Sequence, residues 1–173
     1  MKFEYAHSLI NSYLLDLGPR GVGRFTVDNI DPNLCTHVLY AFARIDSETY
    51  KIKINDDRAD IYNKGYEKFV ALKIKNPNLK VMISVQGFTP EVDRYSQLVT
   101  NNSNIDAFVE SAVAFLKLYK FDGLDWNHWT PSSGADAPGY ANLMVALKTA
   151  FRPHGYLLSS FGNAFQIQID VGK

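Results

Sequence analysis

The residues whose types and spacing could do chemistry lie in the stretch 121–131, which reads FDGLDWNHWTP. Two acids, Asp122 and Asp125, are followed by Asn127 and Trp129. Residues two apart on an extended strand share one face, so Asp125, Asn127 and Trp129 are predicted to point the same way. A strand of a parallel barrel delivers such side chains to its carboxyl end, where active and binding sites are built.

The stretch resembles the catalytic strand of glycoside hydrolase family 18, which contains the chitinases and chitinase-like lectins. The family motif is D-G-x-D-x-D-x-E, usually continuing into Tyr-Pro. Aligned without gaps, its first two Asp fall on Asp122 and Asp125, and its Pro falls on Pro131. Its third Asp falls on Asn127 and its Glu on Trp129. The resemblance therefore includes a catalytic motif that is not intact in this chain.

The two replaced positions decide which function the resemblance implies. In the family the Glu protonates the leaving oxygen, the substrate's own N-acetyl oxygen attacks the anomeric carbon, and the third Asp stabilises the cationic ring. Trp129 has no transferable proton at neutral pH, and Asn127 is neutral and cannot balance a positive charge. Because general acid catalysis contributes about 10²–10⁴-fold, we expect a chitinase-like protein without catalytic activity.

Two further segments carry the resemblance. Residues 23–45, GRFTVDNIDPNLCTHVLYAFARI, are similar to the family's "D-I-D-P-x-L-C-T-H-L-I-Y-A-F". Residues 80–88, KVMISVQGF, are similar to the family's S-x-G-G followed by Trp, with Gln86 in place of the first Gly and Phe88 in place of the Trp. The resemblance implies that chitin or a chito-oligosaccharide is the partner and that six residues bind it: Tyr13, Phe42, Gln86, Gly87, Phe88 and Trp129.

Other interpretations of these side chains remain open. Phe42 could be an ordinary core aromatic on a buried strand, and Trp129 could plug the mouth of the barrel instead of stacking on a sugar ring. Gln86 adds a side chain where the family has none, so it could narrow the cleft or add hydrogen bonds to a sugar.

The pattern of elements predicts an α/β fold with parallel strands. Apolar runs predict strands at 3–13, 38–43, 80–88, in the 121–131 stretch and from 157, and helical periodicity predicts helices at 66–75, 104–119 and 139–151. We expect residues 46–61 to form a solvated loop. The resemblance implies a (β/α)8 barrel of the TIM type, which needs about 250 residues. The 173 residues are therefore expected to form one partial barrel domain, spanning 1–173 and truncated to about the first five strands.

Composition excludes several classes of partner. Lys plus Arg and Asp plus Glu number 18 each, so we expect neither nucleic acid nor an anionic membrane as a partner. No metal or cofactor motif is found, and the single Cys35 excludes an intramolecular disulfide. The N-terminus is a poor signal peptide, so an extracellular location is implied by the resemblance alone. The sequence Asn101-Asn102-Ser103 is an N-glycosylation sequon.

Three functional hypotheses follow from these observations. The first is an inactive chitinase-like lectin or pseudoenzyme. The second is a truncated, non-functional barrel fragment, whose open edge strand predicts self-association. The third is an active chitinase that hydrolyses β-1,4-N-acetylglucosamine links with an unrecognised acid.

Overall fold

The computed structural model describes residues 26–86, 93–127 and 136–160. Their strands form one five-stranded sheet in the order β2-β1-β3-β4-β5, in which β2 is antiparallel to β1 and the other pairs are parallel. The strands are β1 (His37–Ile45), β2 (Ile52–Lys53), β3 (Lys80–Val85), β4 (Gly123–Trp126) and β5 (Leu157–Ser160). The predicted α/β class with parallel strands is confirmed.

Helices connect the parallel strands. They are α1 (Gly65–Val70), α2 (Leu72–Lys75), α3 (Asp93–Thr100), α4 (Asn102–Tyr119) and α5 (Ala137–Phe151). Within the three described ranges, no helix is long and apolar enough to cross a membrane. Because β1, β3, β4 and β5 are parallel, they share an amino edge and a carboxyl edge, and the helices that follow them start toward the carboxyl edge.

The helix-facing side of the sheet holds the main core. Alternate residues of the strands, such as Tyr40, Ile83, Leu124 and Trp126, pack there with the apolar faces of the helices. Trp126 is fully buried and meets Phe108 of α4 edge-on, with ring centroids 5.6 Å apart. The nearly continuous apolar runs in the sequence reflect strands that are covered on both faces.

The helix predicted at 104–119 begins two residues earlier than its apolar periodicity suggested. Its N-cap is Asn101, whose side chain accepts a hydrogen bond from the Ser103 amide at 2.9 Å. Asn residues are favoured at this position because the side-chain oxygen satisfies an amide that has no partner within the helix. The first turn carries polar residues, so periodicity could not locate it.

The expectation of an irregular solvated loop at 46–61 is wrong in part. Ile52 and Lys53 form β2, where Ile52 pairs with Ile45 and its amide donates to the Ser111 hydroxyl at 3.0 Å. A π-helical turn follows at Arg58–Tyr62 and buries Asp60, which is 4% exposed. Ile52, with Tyr50 and Ile54 packed against the core, and the hydrogen-bonded carboxyl of Asp60 hold this polar stretch on the domain.

The buried carboxyl of Asp60 is hydrogen-bonded to residues of the core. It accepts hydrogen bonds from the Tyr40 hydroxyl at 2.7 Å, the Tyr66 hydroxyl at 3.3 Å and the Asp56 amide at 3.0 Å. Burial raises the pKa of Asp60 above its ordinary value of 3.8, although these hydrogen bonds act in the opposite direction. The folded state therefore holds the proton more tightly than the unfolded state does.

This raised pKa predicts a loss of stability as the pH rises. The contribution of Asp60 is fully present below its ordinary pKa of 3.8 and is lost as the pH rises through the higher folded-state pKa. We expect the free energy of unfolding of the wild type, relative to Asp60→Asn, to fall over that window in urea titrations. Asp57→Asn, at an exposed neighbouring acid, is the control and should reproduce the wild-type pH profile. A constant difference between wild type and Asp60→Asn at every pH would contradict the prediction.

Candidate functional site

The face of the sheet opposite the helices, here called the inner face, carries a polar row. Ala41, Ser84, Asp125 and Ser159 stand side by side in the register of β1, β3, β4 and β5. Asp125 is 6% exposed and Ser84 is 1% exposed. This set is called the Asp125 row below.

Asp125 is the centre of the row. Its Oδ2 accepts a hydrogen bond from the Ser84 hydroxyl at 2.8 Å, and its Oδ1 accepts one from the Ser159 hydroxyl at 2.6 Å. Each carboxylate oxygen is thus bonded to a neighbouring strand. The arrangement holds β3, β4 and β5 in register, because the buried Asp125 carboxylate would lose a hydrogen bond if β3 or β5 shifted along β4.

Asp122, the first acid of the motif, lies at the opposite end of β4. It forms an ion pair with Lys73 of α2 at 2.9 Å and accepts a hydrogen bond from the Val81 amide at 2.8 Å. The Asp122 amide in turn donates to the Val81 carbonyl at 2.7 Å. Asp122 therefore joins α2, β3 and β4 at the amino edge, and the structure does not bring it together with the residues at the carboxyl edge.

Gln86 and Asn127 continue the inner face beyond the Asp125 row. The Gln86 amide donates to the Ala43 carbonyl at 3.1 Å, and the Asn127 amide donates to the Val85 carbonyl at 3.2 Å, so both backbones extend the ladder. Each residue is two positions past a member of the row and is half-buried. Strand alternation therefore places two neutral side-chain amides next to each other at the carboxyl edge.

Phe42 lies where β1 is irregular. The pairing of β1 with β3 shifts between Ala41 and Ala43, so Phe42 is an extra residue in the strand, and the Ala41–Phe42 peptide bond is cis. Its side chain is half-buried. Four other predicted binding residues lie outside the described part of the chain: Tyr13, Gly87, Phe88 and Trp129.

The sequence pattern missed two supports of this edge. Ser159 is one of the partners of Asp125, and the Tyr140 hydroxyl of α5 lies 2.6 Å from the Ser160 hydroxyl. Burial raises the pKa of Tyr140, so its hydroxyl keeps its proton. Strand alternation could have indicated Ser159 once the register of β5 was known, but a single sequence does not give a register.

The chemistry available on the described inner face is limited. Its single carboxylate in the polar row is buried with both oxygens hydrogen-bonded, and the side chains beyond it are neutral amides. Within residues 26–86, 93–127 and 136–160, no group of three or more His, Cys, Asp or Glu side chains could hold a metal ion. The arrangement can bind polar, uncharged groups by hydrogen bonds.

Comparison with known proteins identifies the family. The profile of the glycosyl hydrolases family 18 matches residues 13–173. "Probable chitinase 2" of Drosophila melanogaster is 40% identical over 156 residues, which are 86% of this chain and 32% of that protein. The catalytic domain 2 of a Group II chitinase from Ostrinia furnacalis is 40% identical, with a TM-score of 0.74, over 80% of this chain and 38% of that one.

A mutant of the same Ostrinia domain, solved in complex with penta-N-acetylchitooctaose, (NAG)5, has a TM-score of 0.72 over the same shares of the two chains. The chain spans about a third of the length of these relatives. On the match of the family profile and the likeness in fold, the chain belongs to glycosyl hydrolase family 18.

Proposed function

We propose that this chain is a catalytically inactive chitinase-like protein that binds N-acetylglucosamine oligosaccharides at the carboxyl edge of its sheet. The observation that carries the proposal is the described inner face beyond Asp125, where Gln86 and Asn127 supply neutral side chains. In the sequence, Asn127 and Trp129 fall on the third Asp and the Glu of the family motif. The chain keeps the motif residues Asp122, Gly123 and Asp125. The motif's proton-donating Glu and its third Asp are replaced.

The side-chain amides suit the ligand. An acetamido group presents one carbonyl acceptor and one N–H donor, and the amide of Asn or Gln offers both complementary groups. Asn127 and Gln86 could therefore hydrogen-bond an N-acetyl group or a sugar hydroxyl without any proton transfer. The aromatic side chains Phe42, Phe88, Tyr13 and Trp129 are proposed to supply the faces on which sugar rings stack.

The ligands of two related structures support chito-oligosaccharides as the proposed ligand class. The Ostrinia mutant, in which a glutamate is replaced by leucine, was solved with (NAG)5. A chitinase mutant from Cycas revoluta, 26% identical and carrying a glutamate-to-glutamine change, was solved with (GlcNAc)4. Those proteins bind chito-oligosaccharides after losing a glutamate, which favours a binding role for a chain that lacks the motif's glutamate. An extracellular location is proposed with it, because the named relatives are chitinases.

The proposal predicts selectivity for the uncharged ligand. We expect the chitin tetramer to raise the melting temperature of the full chain and to bind in calorimetry. Its fully deacetylated, cationic counterpart should bind more weakly, because the carboxylate of the described polar row, Asp125, is already hydrogen-bonded to Ser84 and Ser159. Ligand stabilises only the state that it binds. Asn127→Asp should narrow the difference between the two affinities by restoring a negative charge, whereas Asn78→Asp, at an exposed position before β3 at the amino edge, should leave that difference unchanged. Equal binding of both oligomers would contradict the role given to the amides.

The second candidate is a barrel fragment without independent activity. It is favoured by the described sheet, in which β5 pairs on one side with β4 and no other described strand lies on its far side. Such an edge can pair with another chain, so self-association through it is proposed. A cooperative melt that no oligosaccharide shifts, with a mass above that of the monomer in sedimentation, would support this candidate over the lectin.

A further inference from the structure

We propose that Asn101 is an N-glycosylation site and that its glycan projects from the helix layer at the carboxyl edge of the sheet. The inference goes beyond the sugar-binding function and depends only on the proposed extracellular location. Asn101-Asn102-Ser103 is the one Asn-x-Ser/Thr sequence in the chain. Because sequons also occur by chance, the argument depends on where this one lies in the fold.

The junction that carries the sequon is polar and exposed. Residues 100–103, between the end of α3 and the first turn of α4, are all exposed. The neighbouring apolar residues, Val99 and Ile105, are buried at 2% and 4% exposure. A glycan can therefore leave this junction without displacing any packed side chain, which is the surface setting that a sequon requires.

The two polar atoms of the Asn101 side chain have separate roles. Its Oδ1 accepts the hydrogen bond from the Ser103 amide that caps α4, whereas Nδ2 has no hydrogen-bond partner among the described residues. The sugar is attached at Nδ2, so the capping oxygen keeps its bond after modification. The cap and the glycan are compatible on the same residue.

The transfer step balances with one co-reactant, a lipid-linked oligosaccharide diphosphate. Nδ2 forms a bond to C1 of the first sugar, and the bond from C1 to the diphosphate oxygen breaks. The lipid diphosphate leaves with the electron pair, and the side-chain amide loses one proton. No oxidant or reductant is involved.

The topology places the glycan relative to the proposed sugar site. Helix α4 ends at Tyr119, just before β4 starts at the amino edge, so its beginning lies toward the carboxyl edge. Eighteen residues give α4 a length of about 27 Å. The glycan therefore stands on the outer, helical side of the same end of the sheet as Gln86 and Asn127, and it would shield that side from other protein surfaces.

A second Asn serves as the internal control. Asn33-Leu34-Cys35 matches the rarer sequon with Cys, but the Asn33 Nδ2 donates to the Asp31 carboxylate at 3.1 Å, and Cys35 is 8% exposed. We do not expect Asn33 to be modified. Asn33→Gln should therefore leave the glycan mass unchanged.

The test is translation of the full chain behind a cleavable leader in the presence of microsomes. We expect one added glycan on the protease-protected wild type, removable by peptide N-glycanase. Asn101→Asp, which keeps the capping oxygen, and Ser103→Ala should both abolish it. A protease-protected wild type without glycan, or a glycan that persists in Asn101→Asp, would overturn the proposal.

A stability measurement separates the effect of the Asn101 cap on the melting temperature from the effect of the glycan. Peptide N-glycanase converts Asn101 to Asp, so the treated protein and Asn101→Asp should melt at the same temperature. Asn101→Ala removes the capping oxygen and should melt about 2–4 °C lower. Equal melting of Asn101→Ala and Asn101→Asp would show that the oxygen does not cap α4 in solution, and would overturn the compatibility argument.

Discussion

Replacing Asn127 with Asp and Trp129 with Glu together is expected to give the chain at least about 10²-fold faster hydrolysis of chito-oligosaccharide than the wild type. The pair of changes restores the acid and the neighbouring negative charge at the two motif positions that follow Asp125 in the sequence. The wild type should show no turnover of a fluorogenic chito-oligosaccharide above that of a heat-denatured sample.

Matched variants divide the expected gain between the two positions. Asn127→Asp alone restores the charge without an acid and should remain inactive, whereas Trp129→Glu alone should recover part of the rate. Adding Asp125→Asn to the restored pair should lower the activity again, because Asp125 joins the neighbouring strands. If the restored pair binds the tetramer and still does not hydrolyse it, these two residues are not the main defect, and the fragment hypothesis gains support.

Gly123→Ala is expected to destabilise the fold by at least about 3 kcal/mol, toward the upper end of overpacking effects. A Cβ at Gly123 would lie 2.7 Å from the Leu157 Cβ and 2.8 Å from the Leu157 carbonyl carbon, and would also meet the Leu157 carbonyl oxygen. Because these are largely backbone atoms of β5, the strand itself would have to move, and the pairing of Asp125 with Ser159 would move with it. Urea unfolding followed by circular dichroism measures the loss.

Gly155→Ala is the matched control for Gly123→Ala. Gly155 has φ of +69°, but no heavy atom lies within 4 Å of the Cβ that an alanine would add. The left-handed conformation should cost about 1–2 kcal/mol without any clash. If Gly123→Ala costs no more than Gly155→Ala, then β4 and β5 do not pack as closely in solution as the structure places them.

The sequence predicted the parts of the fold that follow from local periodicity. The long apolar runs located β1, β3 and β4, and the spacing of Phe108, Ala112 and Phe115 located α4. Strand alternation also predicted that Asp125 and Asn127 share one face of their strand, because residues two apart on an extended strand point the same way. These features depend on neighbours in the chain and not on partners far away.

Features that depend on distant partners could not be predicted. The burial of Asp60 requires Tyr40, twenty residues away, and the support of Asp125 requires Ser159, thirty-four residues away. The polar stretch 46–61 has the composition of a loop. Its strand and its buried acid depend on pairing with β1 and on the hydroxyls of Tyr40 and Tyr66, which the local sequence does not reveal. The role of Asp122 was likewise hidden, since the motif groups it with Asp125 although the two lie at opposite ends of β4.

The hydrogen bonds between Asp122 and Val81 affect where the sheet opens locally. Val81 and Asp122 exchange two hydrogen bonds at the amino edge, and Lys73 adds an ion pair from α2. Past the Asp125 row, the described part of the ladder reaches Gln86 and Asn127, whose backbone amides each donate one hydrogen bond. Local opening should therefore start at the carboxyl edge, as low-stability ends do in other proteins. Hydrogen exchange should therefore be faster at the Gln86 and Asn127 amides than at the Val81 and Asp122 amides, because the pairing of β3 with β4 is held from the amino edge.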